Sequence, residues 1–526
     1  MNIAALPTAR GAEAPVDERN SDRPHGWATC RAQLVYVWLS LLLLVLGLSF
    51  QGTRALWNTD EGRYVDNALQ MLDSGDYLVP AYNADHKNFT KPPLMLWAIA
   101  AAVRVMGRNT WAVRTPPALA FVLTALLLCG MGSRLLPGKA WLPGLVYGCT
   151  VAPFIASNVV STDDLLTLCE ALAMWGFVQA AFGASEAPRR PVLLMWLGFG
   201  LAFLTKGPPG LLPLLGIVLF IARRDGLRAL RRFFPWTGMA VFAVVGLAWY
   251  AIVMVHDPRL VDYFLRYELF DRVFTSTQGR NPQWYGWLTA YGPVFVFGTL
   301  PWWPLLWPAW QAALLPRNWR RGWHERSPAL FLALWLTLPL LIFCIARSRL
   351  PVYVLPLFLP MALMIALALR DRIDLASWRQ RFMLGVWLVL LLAMKGGVAL
   401  YAHPLSDDRV FARQLASRVG ETEYSAIAFV EAADSTVAME EHTPWGMRLY
   451  LDKPIYAVAW QGPQAAQTIC LLSDRHPSLL LIVDGSLDGA ALPAVLAQCP
   501  GRQDVKLGSW STAHVALLHR SAALAP

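Results

Sequence analysis

Pro93-Leu94-Met95-Leu96-Trp97-Ala98-Ile99-Ala100-Ala101-Ala102-Val103-Arg104-Val105-Met106-Gly107 is the segment on which the topology turns. It is apolar, but as a helix it reaches only about 22 Å, short of the roughly 30 Å hydrocarbon core, and it carries Arg104. Longer apolar stretches lie on both sides of it. Spans are read near 32–50, 112–133, 140–158, 163–183, 191–206, 208–222, 236–255, 286–313, 328–346, 352–369 and 382–402, which makes eleven. With 93–107 lying along the interface, five basic loops share one side with the N-terminus. They carry Arg134/Lys139, Arg189/Arg190, Arg223/Arg224/Arg228/Arg231/Arg232, Arg317/Arg320/Arg321/Arg326 and Arg370/Arg372/Arg379/Arg381. That is the positive-inside pattern, and counting 93–107 as a crossing would turn every one of these loops outward. The interfacial reading is therefore adopted.

Composition agrees with a polytopic membrane protein. The 526 residues are 56% hydrophobic and only 15% charged, with mean hydropathy +0.41, whereas a soluble domain has about a quarter charged residues. The 24 tryptophans suit a chain with much water–lipid boundary. A net charge of +10 invites a nucleic-acid reading, but the arginines sit in short loops between apolar spans, so none is expected. Residues 1–31 are polar, mixed in charge and unpatterned, and read as a disordered cytosolic tail. The first span after them reads as an uncleaved anchor.

This topology puts residues 51–111, 157–163, 256–284 and 346–351 on one extracytoplasmic side, together with everything after about 403. The expected architecture is an all-α membrane domain over 32–402, with eleven to thirteen transmembrane helices plus interfacial helices. A small α/β domain follows over 403–526, where Ala426–Val430 and Leu479–Val483 read as short buried strands. Five of the seven cysteines (Cys30, Cys129, Cys149, Cys169, Cys344) fall in or beside spans, where a thiol is a small apolar group. Cys470 and Cys499 lie in the C-terminal part and could form a disulfide if it is periplasmic.

The charged residues on that outer side are the candidates for chemistry. Trp57-Asn58-Thr59-Asp60-Glu61-Gly62-Arg63-Tyr64 opens a helix that Asn58 or Thr59 can cap and Ser74-Gly75-Asp76 stops. Its apolar stripe of Tyr64, Val65, Ala68, Leu69 and Leu72 lets it lie on the membrane. Asp60 and Glu61 are catalytic candidates, although first-turn acids also suit a helix dipole. Asp163, in Ser161-Thr162-Asp163-Asp164 at the mouth of a span, is the third, with helix capping as its bland alternative. Arg63, Lys91, Lys206 and Arg349 run against the positive-inside trend. Fixed cations at this depth suit a lipid-linked phosphate, and ordinary headgroup contacts can account for some of them. No ATP is available outside the cytoplasm, so a transferase there needs an activated donor, and a polyprenyl-phosphate sugar supplies one.

In their order along the chain, Asp60-Glu61-Gly62-Arg63-Tyr64, Gly75-Asp76-Tyr77-Leu78-Val79-Pro80, Lys91-Pro92-Pro93-Leu94, Trp111-Ala112-Val113-Arg114-Thr115-Pro116, Thr205-Lys206-Gly207-Pro208 and Arg349-Leu350-Pro351-Val352-Tyr353 resemble the lipid A aminoarabinose transferase family. Those are inner-membrane glycosyltransferases of the GT-C class, related to protein O-mannosyltransferases. The resemblance spans about residues 32–400. It implies a GT-C fold with a periplasmic cavity, an undecaprenyl-phosphate-linked sugar donor and lipid A phosphate as acceptor. It matches Asp60 and Asp163 to the family's acids, Arg63, Lys91 and Arg272 to its phosphate-contacting bases, and Tyr353 to a tyrosine near the lipid phosphate.

Two departures stand out. Relatives often carry Glu-Lys-Pro-Pro and Glu-His-x-x-Arg, where this chain has Thr90 before Lys91 and Leu269 in Glu268-Leu269-Phe270-Asp271-Arg272. The missing Glu and His are the pair expected to hold zinc, so no metal and no cofactor is expected here. The reading is an inverting, metal-independent inner-membrane glycosyltransferase, working as a monomer among membrane lipids and moving aminoarabinose or a related amino sugar to lipid A. The alternatives are another acceptor (a protein hydroxyl, core oligosaccharide or other envelope glycan) or, in a different class, a transporter or flippase of lipid-linked sugars, which would favour paired halves with broken helices.

Overall fold

The computed structural model describes residues 25–57, 60–183, 189–266, 280–302, 327–401, 408–419, 424–432, 443–460, 463–484, 502–510 and 513–520, together with 439 and 487. The decisive segment forms α3, Leu94–Met106, of 13 residues, too short to cross a bilayer at 1.5 Å per residue. It buries Met95, Leu96, Ile99, Ala100 and Val103 and ends on Gly107 at φ +81°. Its buried face receives α2, Asp60–Ser74. The α2 stripe of Val65, Ala68 and Leu69 joins Met95, Ile99, Ala100 and Val103 in one cluster with Ala112 and Val113. The stripe expected to rest on lipid is therefore covered by α3.

The helical body begins with α1, His25–Leu48, and continues past α2 and α3 with α4, Thr110–Leu135, capped by Asn109. The apolar stretch read as one span at 140–158 is instead two short helices, α5 (Leu142–Gly148) and α6 (Val151–Ala156). Next come α7 (Thr162–Ala181), α8 (Arg189–Lys206) and α9 (Pro213–Asp225). They are followed by α10 (Trp236–His256), α11 (Gly286–Gly298), α12 (Pro328–Ile345), α13 (Pro351–Leu369) and α14 (Trp378–Tyr401). Among the described residues, α4, α10, α12, α13 and α14 are each long and apolar enough to cross a membrane. The protein is a multi-pass membrane protein. Glycines let its helices approach closely: a Cβ on Gly198 of α8 would collide with the Ala173 nitrogen of α7, the small-residue contact favoured between membrane helices.

The chain then builds a second unit on a five-stranded sheet of order β4-β3-β5-β7-β6. After α15 (Asp408–Val419) come β3 (Ala426–Glu431), α16 (Met447–Leu451), β4 (Ile455–Ala459), α17 (Pro463–Arg475), β5 (Ser478–Asp484), β6 (Arg502–Trp510) and β7 (Ala513–Arg520). β3 runs parallel to β4 and β5, while β7 is antiparallel to β5 and β6. Alternation along β3 covers both faces. Ala426, Ala428 and Val430 pack under Ala465, Ile469 and Leu472 of α17, and Ile427 and Phe429 pack with Ala412 and Leu415 of α15. Near the membrane body a two-stranded ribbon, β1 (Ala81–Asn83) with β2 (His86–Lys87), follows α2.

Candidate active site

The first two residues of α2 part company at once. The Asp60 side chain is 54% exposed and meets Arg63 one turn on, at 2.5 Å. Glu61 is 1% exposed. Its carboxylate accepts from Arg54 (2.6 and 3.0 Å), from Arg114 (3.0 and 3.3 Å), and from the backbone N–H groups of Trp57 (2.7 Å) and Val160 (2.8 Å). Burial alone would push Glu61 up, but the two guanidinium groups overcome it and hold the acid down at about 2. With six donors on two oxygens, Glu61 has no lone pair left for a substrate. It links the end of α1, the start of α2, α4 and the residue before the α7 cap.

Through Val160 this cluster also fixes where α7 begins. The Ser161 hydroxyl accepts from the Asp163 N–H at 3.1 Å and caps the helix. Asp163 is buried, and its carboxylate accepts from Lys206 at the C-terminal end of α8. α8 stops there because Gly207 takes φ +75° and two prolines follow. The Lys206 ammonium also lies 4.2 Å above the ring of Tyr353. Asp163, Lys206 and Tyr353 thus form one contact set.

Three residues that the sequence reading left without a role belong to these two clusters. Tyr64 lies in the fields of both Asp60 and Asp163; burial first, then the Asp60 charge, raises its hydroxyl, so it stays neutral beside the two acids. Its ring had placed it in the apolar stripe. Glu170 is buried seven residues below Asp163 on the same face of α7, within reach of the charges of Lys206 and Asp163. The spacing 163–170 was the available signal. Arg114 stood in a quoted motif, but its partner Glu61 is 53 residues away.

The remaining cations differ in what they can offer. Arg63 is partly buried beside Asp60. The Lys91 ammonium donates to the Thr90 carbonyl at 2.8 Å. Arg349 is 4% exposed and turned into the protein, donating to the carbonyls of Asn281 (2.8 Å) and Gln283 (2.7 Å) before α11 and of Cys344 (3.0 Å) at the end of α12, with its Nε unpartnered. Arg272 and the segment Glu268–Asp271 lie outside the described residues. The Thr90 hydroxyl donates to Asn88 Oδ1 at 2.6 Å and its N–H to the same oxygen at 3.1 Å. Among the described residues no group of three or more His, Cys, Asp or Glu is arranged to hold a metal ion. Below this level a cavity of about 720 Å³ opens between α3, α4, α7 and α8, walled by apolar side chains such as Leu94, Trp97, Leu127, Leu165 and Trp175.

Comparison with known proteins places this architecture. The family profile of the dolichyl-phosphate-mannose-protein mannosyltransferases matches residues 90–251. The undecaprenyl phosphate-alpha-4-amino-4-deoxy-L-arabinose arabinosyl transferase of Aeromonas salmonicida is 32% identical over 361 residues, 66% of this chain and 62% of the relative. The similarly named transferase 2 of Pseudomonas fluorescens is 30% identical over 420 residues, covering 76% of this chain and 67% of its own length. The match thus spans about three fifths to two thirds of these relatives. Among solved structures, ArnT from Cupriavidus metallidurans bound to undecaprenyl phosphate superposes with a TM-score of 0.70 at 19% identity, covering 95% of this chain and 99% of that one. The membrane body with its appended sheet is the fold of that protein, and the chain belongs to the family of undecaprenyl phosphate-alpha-4-amino-4-deoxy-L-arabinose arabinosyl transferases.

Proposed function

We propose that this protein is an inner-membrane glycosyltransferase that moves an amino sugar of the aminoarabinose type from undecaprenyl phosphate to lipid A on the periplasmic face. The observation that carries the reading is the joining of two acidic helix starts: the Glu61 cluster ties α2 to the approach of α7, and the Tyr64 hydroxyl feels the charges of both Asp60 and Asp163. Cations stand beside both acids, Arg63 at Asp60 and Lys206 at Asp163. The names of the relatives supply the donor. The disulfide at Cys470 supports an oxidising compartment for the C-terminal unit, and so for the face that carries the acids.

In the proposed step the bond between the anomeric carbon and the donor phosphate oxygen breaks. Undecaprenyl phosphate leaves with the electron pair, and an acceptor phosphate oxygen attacks the opposite face, inverting the configuration. That acceptor is already anionic, so no strong base is required. Asp60 orients the acceptor or offsets the developing positive charge on the sugar. Lys206, Arg63, Lys91 and Arg272 neutralise the phosphates. Asp163 holds Lys206, with Tyr353 beneath it, and Glu61 and Arg349 hold backbone. The apolar cavity between α3, α4, α7 and α8 suits a lipid chain.

Mass spectrometry of lipid A from cells with and without the gene tests the reading. A mass difference of a pentosamine is the expected result, and a hexosamine or uronic acid difference would rename the sugar. An unchanged lipid A would overturn the acceptor and point to a protein or another envelope glycan.

A further inference from the structure

We propose that Arg448 and its neighbours in the C-terminal unit are positioning residues for the α2 acid, so that the sheet-bearing unit is a built-in part of the site. The proposal rests on the glycosyltransferase reading for its activity readout and on geometry alone for the rest. Arg448 is 3% exposed. Its guanidinium donates to Gln70 Oε1 (2.7 Å), Asp73 Oδ2 (2.8 Å), the Tyr82 carbonyl (2.9 Å) and Asp66 Oδ1 (3.4 Å). Asp66, Gln70 and Asp73 occupy one stripe of α2, spaced four and three residues apart. Such a stripe ordinarily faces water; here Asp66 is fully buried under Arg448, while Asp73 stays exposed at the edge of the contact. Trp445 stacks on Tyr82 at 4.2 Å and 17°, and Arg108 bridges Asp73 to Asp452.

The same unit also holds the chain just before α2. Arg409 donates to the carbonyls of Thr53 (3.2 Å), Gly52 (3.2 Å) and Arg54 (3.1 Å), and the Leu56 N–H donates to Tyr450 Oη at 3.0 Å. Asp60 lies between these two grips. At Gly62 the backbones touch: a Cβ there would lie 2.7 Å from the Gly446 nitrogen. None of these side chains need touch a substrate to set the direction in which Asp60 points.

Amide hydrogen exchange and kinetics on the full-length protein in lipid nanodiscs test this with Arg448→Gln and Gly62→Ala. Alanine is the better helix former by about 1 kcal/mol, so any loosening of α2 by Gly62→Ala must come from its contact with Gly446. Both variants are expected to speed exchange in α2 about tenfold and to lower kcat about tenfold with the donor KM held within about twofold. If protection of β3 and β5 also falls in Arg448→Gln, the C-terminal unit itself has loosened and Gly62→Ala decides. Unchanged α2 exchange, or a loss confined to KM, overturns the proposal. If the wild type transfers no sugar, the glycosyltransferase reading fails, while the exchange result still decides whether the C-terminal unit holds α2.

Discussion

Two helices of this protein, α2 and α7, each open on a pair of adjacent acids, and each pair is split between two tasks. Neighbouring helical residues point about 100° apart, so two consecutive acids cannot share a face. In α2 the first acid, Asp60, stands half-exposed with one arginine one turn away, and the second, Glu61, is sealed between Arg54 and Arg114. In α7 the first acid, Asp163, meets Lys206, and the second, Asp164, turns inward to the Ser161 hydroxyl at 3.5 Å. The inward acids differ in turn. Glu61 has two cations in contact; the nearest candidate for Asp164, Lys395, spends its ammonium on the carbonyls of Leu46 and Gly47 and on Ser157. The comparison teaches that a paired-acid motif at a membrane surface can hold one acid for the cleft and one for the framework.

Breaking the framework half should have the largest effect. Glu61→Ala leaves two buried arginines facing each other without a counter-charge, a loss of about 3–5 kcal/mol. Thermal unfolding of the purified protein should show a large fall in midpoint. Asp60→Ala removes only an exposed pair worth under about 1 kcal/mol and should leave the midpoint nearly unchanged. Equal midpoints for the two variants would dissolve the distinction between them.

The cleft half should answer the opposite way. Asp60→Ala and Asp163→Ala are expected to lower transfer by about 10²–10³-fold, measured with a synthetic polyprenyl-phosphate sugar; Asp60→Ala keeps its unfolding midpoint, whereas Asp163→Ala strands the part-buried Lys206 and lowers it, with folded protein still recovered. Asp164→Asn, which keeps the shape and loses the charge, should retain most of the rate. Full transfer in both alanine variants would remove Asp60 and Asp163 from the site.

Much of this division is invisible in a sequence, and the reason is sequence separation. The short helix α3 was legible because the length of an apolar run is a local signal. So were β3 and β5, whose short apolar runs fill the centre of the sheet. The two acids at 60 and 163 were legible as charges at helix mouths. What distinguishes Glu61 from Asp60 was not, since it depends on Arg114 and on Val160, 53 and 99 residues away. The cover over the acidic stripe of α2 depends on Arg448, which reaches Tyr82 across 366 residues. No local periodicity encodes such pairs. Tyr64 was absorbed into the apolar stripe because its ring obeys the helical period, whereas its hydroxyl takes its meaning from Asp163.

Tyr64→Phe sharpens the comparison between the two helix starts at their meeting point. It keeps the ring in the stripe and removes the neutral hydroxyl that lies in the fields of Asp60 and Asp163. One hydrogen-bond donor is worth about 1 kcal/mol, so transfer should fall about fivefold to tenfold with the unfolding midpoint unmoved. A wild-type rate would mean that the two acids act without that hydroxyl.

The smallest expected effect is one of pH, and it separates the two buried acids of α2. Glu61 is held down at about 2 by its arginines, so its contribution is present above its ordinary value of about 4.3 and is lost only as pH falls through about 2. Asp66 is displaced the other way. Burial lifts it to about 7, Arg448 offsets this only in part, and its Oδ2 has no hydrogen-bond partner. A raised acid favours the closed arrangement fully below its free value of about 3.9 and ceases to do so as pH rises through about 7. Contact between α2 and the C-terminal unit should therefore loosen between pH 5 and pH 7.5. Hydrogen exchange of α2, corrected for the intrinsic pH dependence, reads this directly, with Asp66→Asn flattening the profile and no variant at Glu61 needed. A flat profile between pH 5 and pH 7.5 in the wild type would show instead that Asp66 is charged against Arg448 throughout, and α2 would then carry two ionised buried acids rather than one.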